Sequence, residues 1–158
     1  EVLDDQDGDW ETGKALTITE NWIAKYGEEM TGIWCACDDM AIGVVQALKA
    51  KGLNGKIKTT GVDGTSAAIA KYYKESGDLA CTIMNNGWLQ AGYGAAYAYA
   101  AKTGVIKTSE MDNTHRMFLT SGFLVTPDTM DEYRKTFVEN APAYDYNDLD
   151  YVIAGPMF

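Results

Sequence analysis

Residues 33–52 read IWCACDDMAIGVVQALKAKG, and this stretch decides the fold. Ile33 to Cys37 is a short apolar run of the length of a buried strand. Immediately after it, Met40, Ala41, Val44, Val45 and Leu48 recur at the spacing of one helical face. Asp38 or Asp39 suits the helix N-cap, where a carboxylate accepts from free backbone N–H groups, and Gly52 suits a helix stop. A strand that runs straight into an amphipathic helix is one β–α unit.

The same rhythm extends in both directions. Upstream, Glu1 to Asp5 reads as a strand end, and Ala15, Ile18, Trp22, Ile23 and Tyr26 keep helical spacing up to Gly27. Downstream, Ile57 to Val62 reads as a strand, with a helix capped by Thr65 or Ser66 running through Tyr73 and stopping at Gly77. Leu79 to Met84 is a further strand, followed by a helix over Leu89 to Lys102 closed by Gly104. Met117 to Val125 reads as a strand, and Thr126-Pro127 opens a last helix with proline at its first position. The tail from Pro142 is aromatic, acidic and irregular. Strands alternating with helices imply an α/β, doubly wound, mainly parallel sheet flanked by helices.

Composition narrows the function. The chain has 158 residues, 46% of them hydrophobic, which is enough for a packed core. A formal charge of -10, from 23 acidic and 13 basic residues, opposes nucleic acid or anionic membrane as a partner, because both recruit positive patches. No apolar run approaches the ~20 residues that span a bilayer, and the start EVLDDQDGDW has neither the basic nor the apolar region of a signal peptide. The three cysteines, Cys35, Cys37 and Cys81, show no CxxC spacing, so neither a disulfide framework nor a zinc site is signalled.

In open parallel sheets, ligands bind beyond the C-terminal ends of the strands. Three such ends are polar: Cys37-Asp38-Asp39, Asp63-Gly64 and Asn85-Asn86. Carboxylates and amides converging on one crevice suit vicinal hydroxyls, and an aromatic ring, here Trp10, suits the apolar face of a pyranose. Each residue alone also fits a helix cap or turn. Catalytic and metal readings are weaker. Asp5-x-Asp7-x-Asp9 begins like a calcium loop, but Trp10 and Leu16 stand where glycine and glutamate are required. His115 has no triad-like partner, Gly92-Tyr93-Gly94 lacks the third glycine of a dinucleotide loop, and Cys35-x-Cys37 has no completing ligands. Neither an enzyme, a cofactor nor a metal is expected.

DWETGKA, CDDMAIGVVQALKAKG, TTGVDG and GDLACTIMNN occur in the order and near the spacing of a known family. From Val2 to about Phe137 the chain resembles the type I periplasmic sugar-binding proteins of ABC importers, the galactose/glucose- and ribose-binding proteins in particular. The resemblance implies one lobe of that fold, incomplete, and capture of a monosaccharide in an interlobe cleft for delivery to a membrane permease, in the periplasm or lipid-anchored on a cell surface. It places Trp10 as the sugar-stacking aromatic, and Asp63 and Asn85 as hydrogen-bonding partners of sugar hydroxyls. Cys37 stands where the family has an asparagine that contacts the sugar, which points to compensation by Asp38 or to a different ligand.

The resemblance also divides the chain. Residues 1–86 map to part of the C-terminal lobe, 87–115 to a helix that packs on the other lobe, and 116–158 to a return strand, last helix and tail. On that mapping Tyr93, Tyr97 and Tyr99 are exposed. The family's sheet order, 2-1-3-4-5, leaves an empty slot between Glu1–Asp5 and Ile33–Cys37, so a longer chain or a strand swapped from a second copy is expected to fill it. Cys35 and Cys81 fall two strands apart, roughly 9 to 10 Å, and free thiols are expected. The rival reading is the effector-binding domain of a LacI-type sugar-responsive repressor, which shares the fold; the acidic balance and the run from Leu124 to Phe137 resemble importers more.

Overall fold

The computed structural model describes residues 1–65, 68, 78–111, 122–141 and 143–149. Helix α1 spans Thr12–Tyr26, strand β1 Gly32–Trp34, helix α2 Asp38–Ala50, strand β2 Lys58–Asp63 and strand β3 Leu79–Met84. Helix α3 follows over Gly87–Thr103, strand β4 over Phe123–Val125, and helix α4 over Met130–Tyr133, which widens into a π-helical turn at Arg134–Glu139. The four strands lie in the order β1-β2-β3-β4, with the first three parallel and β4 antiparallel to β3.

Three of the expected glycine stops act as such, and the fourth, Gly77, lies outside the described residues. Gly27 ends α1 at φ 54°, Gly52 follows α2 at φ 65°, and Gly104 ends α3 in the left-handed conformation at φ 77°. Helix α2 is the centre of the core: Ala41, Val44, Val45 and Leu48 are buried against Ile33, Cys35, Ile57, Leu79, Met84 and Val125. Burying such side chains contributes on the order of 1.5–3 kcal/mol each. Helix α1 lies on α2, where Gly43 brings the backbones together, since an added Cβ would meet the Thr12 carbonyl. The buried Asp78 pairs with Lys49 at 2.9 Å and accepts from Asn54 Nδ2 at 3.2 Å, tying the end of α2 to the start of β3.

Several expectations need correction. Glu1–Asp5 forms no strand. Its described contacts run instead to the end of α1, where Tyr26 donates to Asp4 at 2.9 Å and Lys25 pairs with Asp4 at 3.1 Å. Strand character requires a neighbour, and β1 has only β2 beside it among the described residues. Pro127 does not open the last helix, because Thr126 and Thr129 form a hydroxyl box first. Thr129 Oγ1 donates to the Leu124 carbonyl at 2.8 Å and accepts from Thr126 N–H at 2.9 Å, and α4 starts only at Met130. Tyr93 is 2% exposed rather than open: Tyr146 of the tail packs edge-on at 5.2 Å, and the Tyr93 hydroxyl donates to the Asp145 carbonyl at 3.2 Å. Tyr99 is exposed, as expected.

Cys35, Cys37 and Cys81 are free thiols; Cys35 and Cys37 lie just past the end of β1 rather than within a strand, and Thr60 of β2, which pairs with Trp34 on one side and Cys81 on the other, stands between β1 and Cys81. The Thr65 cap forms, its hydroxyl accepting from Ala68 N–H at 3.4 Å. The rest of that helix, the Met117–Ser121 part of the return strand, His115 and residues 150–158 lie outside the described residues.

Candidate ligand-binding site

The polar ends of β2 and β3 meet. Asp63 closes β2, Asn85 follows β3, and Asn85 Nδ2 donates to Asp63 Oδ1 at 3.5 Å. The Asp63 carboxyl is exposed, and its pKa is raised by partial burial and the neighbouring Asp39 charge, against the lowering effect of Asn85. A carboxylate acceptor and an amide with donor and acceptor, side by side and open to solvent, match the two faces of a hydroxyl. Gln90, one turn into α3, donates to the Asn85 carbonyl at 2.9 Å and steadies that corner.

Trp10 stands at the same end of the sheet. The Gly8–Glu11 turn closes through Glu11 N–H to Gly8 O at 2.9 Å, and Thr12 Oγ1 donates to the Asp39 carbonyl at 2.8 Å, which fastens the start of α1 to the first turn of α2. Gly8 lies against the Met40 side chain, which a Cβ there would displace. Trp10 is 68% exposed, available for stacking.

Two further expected site residues are not exposed. Cys37 is 5% exposed at the N-cap of α2; its side chain makes no cap bond, and its carbonyl accepts from Ala41 N–H at 3.2 Å. Asp38 is 0% exposed, with both carboxylate oxygens engaged: Oδ1 accepts from Thr82 Oγ1 at 2.7 Å and Oδ2 from Thr65 N–H at 2.6 Å. Burial pushes the Asp38 pKa up, the two hydrogen bonds oppose that rise, and the Asp63 charge adds to it. Sequence reasoning missed Thr82 and Tyr133. Thr82 sits inside an apolar strand run and Tyr133 inside a helical one, so only the polar tip of each hints at a partner.

Among the described residues, four non-glycines have positive φ, Asp9 (49°), Trp10 (62°), Asp63 (105°) and Asn86 (46°), and all four flank this face. Backbone strain of this kind, of order 1–3 kcal/mol per residue, concentrates at functional sites. Asn86 caps α3, accepting from Leu89 N–H at 3.3 Å while its amide donates to the Tyr144 hydroxyl at 2.6 Å. Among the described residues no group of three or more His, Cys, Asp or Glu is placed to hold a metal. No described helix is long and apolar enough to cross a membrane.

Relatives share this framework. The xylitol-binding protein of Mycolicibacterium smegmatis is 32% identical over 103 residues, covering 65% of this chain and 29% of the relative. The D-allose-binding periplasmic protein of Escherichia coli is 35% identical over 81 residues, 51% of this chain and 25% of the relative. Among solved structures, a twin-arginine translocation pathway signal protein from Burkholderia phytofirmans matches 100% of this chain and 48% of its own with a TM-score of 0.80 at 29% identity. An ABC transporter periplasmic solute-binding protein from Actinobacillus succinogenes, solved with D-allose, has a TM-score of 0.69 at 27% identity over 84% of this chain and 44% of its own. The chain thus spans about a quarter of these curated relatives and less than half of these solved structures. The described mixed sheet with its flanking helices matches one lobe of such type I binding proteins. The periplasmic binding protein domain matches residues 1–105, two thirds of the chain, and the chain belongs to that family.

Proposed function

We propose that the whole protein is the solute-binding component of an ABC importer, capturing a monosaccharide or related polyol and presenting it to a membrane permease outside the cytoplasm, in the periplasm or from a lipid anchor. The observation that carries this reading is the Asp63–Asn85 pair, 3.5 Å apart and open at the C-terminal ends of adjacent strands, with the exposed Trp10 at the same end. Relatives named for binding xylitol, D-allose and ribose support the importer over a LacI-type repressor. In this reading residues 1–86 form one wall of the cleft, 87–115 pack on a second lobe, and 116–158 return the chain. Capture follows from closure, because only the closed form gives the ligand hydrogen bonds from both walls, and no chemical turnover is involved. Cys37 withholds an amide from the site, which narrows the ligands it favours.

The test is calorimetric titration of the whole protein with xylitol, D-fructose, D-allose, D-ribose and myo-inositol. Micromolar or tighter binding of one of them is expected, with Trp10→Ala and Asp63→Ala each weakening it by about 1–3 kcal/mol, from lost stacking or a lost charged hydrogen bond. Silence across the panel, or undiminished affinity in both variants, refutes the assignment.

A further inference from the structure

The Asp63 turn is held by side chains that no ligand can reach. Three consecutive backbone polar groups of the turn are each taken by a different element. Gly64 N–H donates to Thr82 Oγ1 of β3 at 3.2 Å, Gly64 C=O accepts from the Tyr133 hydroxyl of α4 at 3.0 Å, and Thr65 N–H donates to Asp38 of α2 at 2.6 Å. Thr82 joins two of the three, since its hydroxyl also donates to Asp38 at 2.7 Å. Asp38 and Thr82 are both 0% exposed. Two glycines make the arrangement sterically feasible: a Cβ at Gly61 would collide with the Asp38 carboxylate, and a Cβ at Gly64 would sit 2.7 Å from Met84 Cβ. A backbone angle of 105° at Asp63 is unfavourable for any side chain and persists only where its surroundings impose it.

We propose that Asp38, Thr82 and Tyr133 are positioning residues, a buried three-sided grip on the Gly64–Thr65 backbone that holds Asp63 in its strained conformation and its carboxylate beside Asn85. This rests on the reading of Asp63 as a ligand-binding residue. Buried away from solvent, the grip acts on ligand affinity only through the turn. A loose turn would let Asp63 relax, and a binding group that must be re-ordered on each encounter loses affinity by the fraction of time it is misplaced.

The experiment uses the whole protein with Thr82→Val, which keeps the side-chain shape and removes both hydrogen bonds, and Thr82→Ser, which keeps both. Amide hydrogen exchange at Gly64 is expected to accelerate about tenfold or more in Thr82→Val, with ladder amides of β2 such as Thr60 unchanged and Thr82→Ser restoring the parent rate. Affinity for D-allose, xylitol or myo-inositol, whichever the parent binds, is expected to fall about tenfold in Thr82→Val. It is expected to fall no further when Thr82→Val is added to Asp63→Ala, since the grip works through that residue. Parent-like exchange at Gly64 in Thr82→Val overturns the grip, and an equal affinity loss with and without the Asp63 carboxylate overturns its action through Asp63. An Asp63→Ala protein that binds as tightly as the parent removes the site reading instead, and exchange at Gly64 then decides the grip on its own.

Discussion

Replacing Gly43 with alanine tests how α1, which the Trp10 turn leads into, is set against the sheet. Alanine is the better helix former by about 1 kcal/mol, so in an exposed helix the change would stabilise. Here the added methyl meets the Thr12 carbonyl oxygen and lies 3.0 Å from the Leu16 backbone nitrogen. Both obstacles are backbone, so neither moves by a rotamer change, and α1 must shift outward as a body. Overpacking of this kind costs about 1–3 kcal/mol. The shift also loosens Ala15, Ile18 and Thr19, the buried face of α1. Subtracting the propensity gain leaves a net loss of up to about 2 kcal/mol. Gly13→Ala is the control, because its Cβ would enter open space on the same helix, and it should gain about 0.5 kcal/mol. Urea unfolding of the parent and both variants, followed by circular dichroism, measures the difference. A Gly43→Ala protein at least as stable as the parent refutes the close-approach argument.

Two other outcomes follow from the buried groups. Burial raises the Asp38 pKa in the folded state, so its stabilising contribution is complete below the unfolded value of about 4 and is lost as the pH rises through the folded value. The stability of the parent relative to Asp38→Asn should therefore decline as the pH is raised from about 4 towards 7, and a difference that stays flat across urea titrations in that window contradicts the assignment. Burial, with the Cys37 and Asp38 charges adding to it, pushes the Cys35 thiol up to about 12, so Ellman's reagent at about pH 8 should modify the half-buried Cys81 well before Cys35. Labelling of Cys35 in the native protein at the Cys81 rate refutes it.

Local signals in the sequence located most of the elements. The 33–52 stretch announced β1 and α2 because apolar spacing, acidic first turn and terminal glycine all agree there, and Leu79–Met84 is bounded as a strand where its apolar run ends. What failed depended on partners distant in the chain. Glu1–Asp5 has strand-like residues, but pairing is decided by what lies beside it. The burial of Tyr93 comes from Asp145 and Tyr146, more than fifty residues away. Thr126-Pro127 carries a helix-start signal overridden by a hydroxyl box two residues further on. At the candidate site, the polar ends of β2 and β3 that bring Asp63 beside Asn85 follow from where the apolar runs stop. That Asp38 of α2 faces inward was not legible, because the space for its carboxylate exists only where Gly61 of β2 lacks a side chain.

The left-handed residues at the ligand face bear on how this protein can be changed. At Asp9, Trp10, Asp63 and Asn86 glycine is the conformationally relaxed choice, and the sequence carries a side chain at each instead. A search for thermostable variants that scores folding alone is therefore drawn to glycine at these positions and, as it succeeds, removes the ring of Trp10 and the carboxylate of Asp63 on which the proposed binding function rests. Robust forms of this lobe are better sought at the opposite ends of the strands and on the outer faces of α1 and α3, where side chains can be exchanged without relaxing the backbone that shapes the cleft.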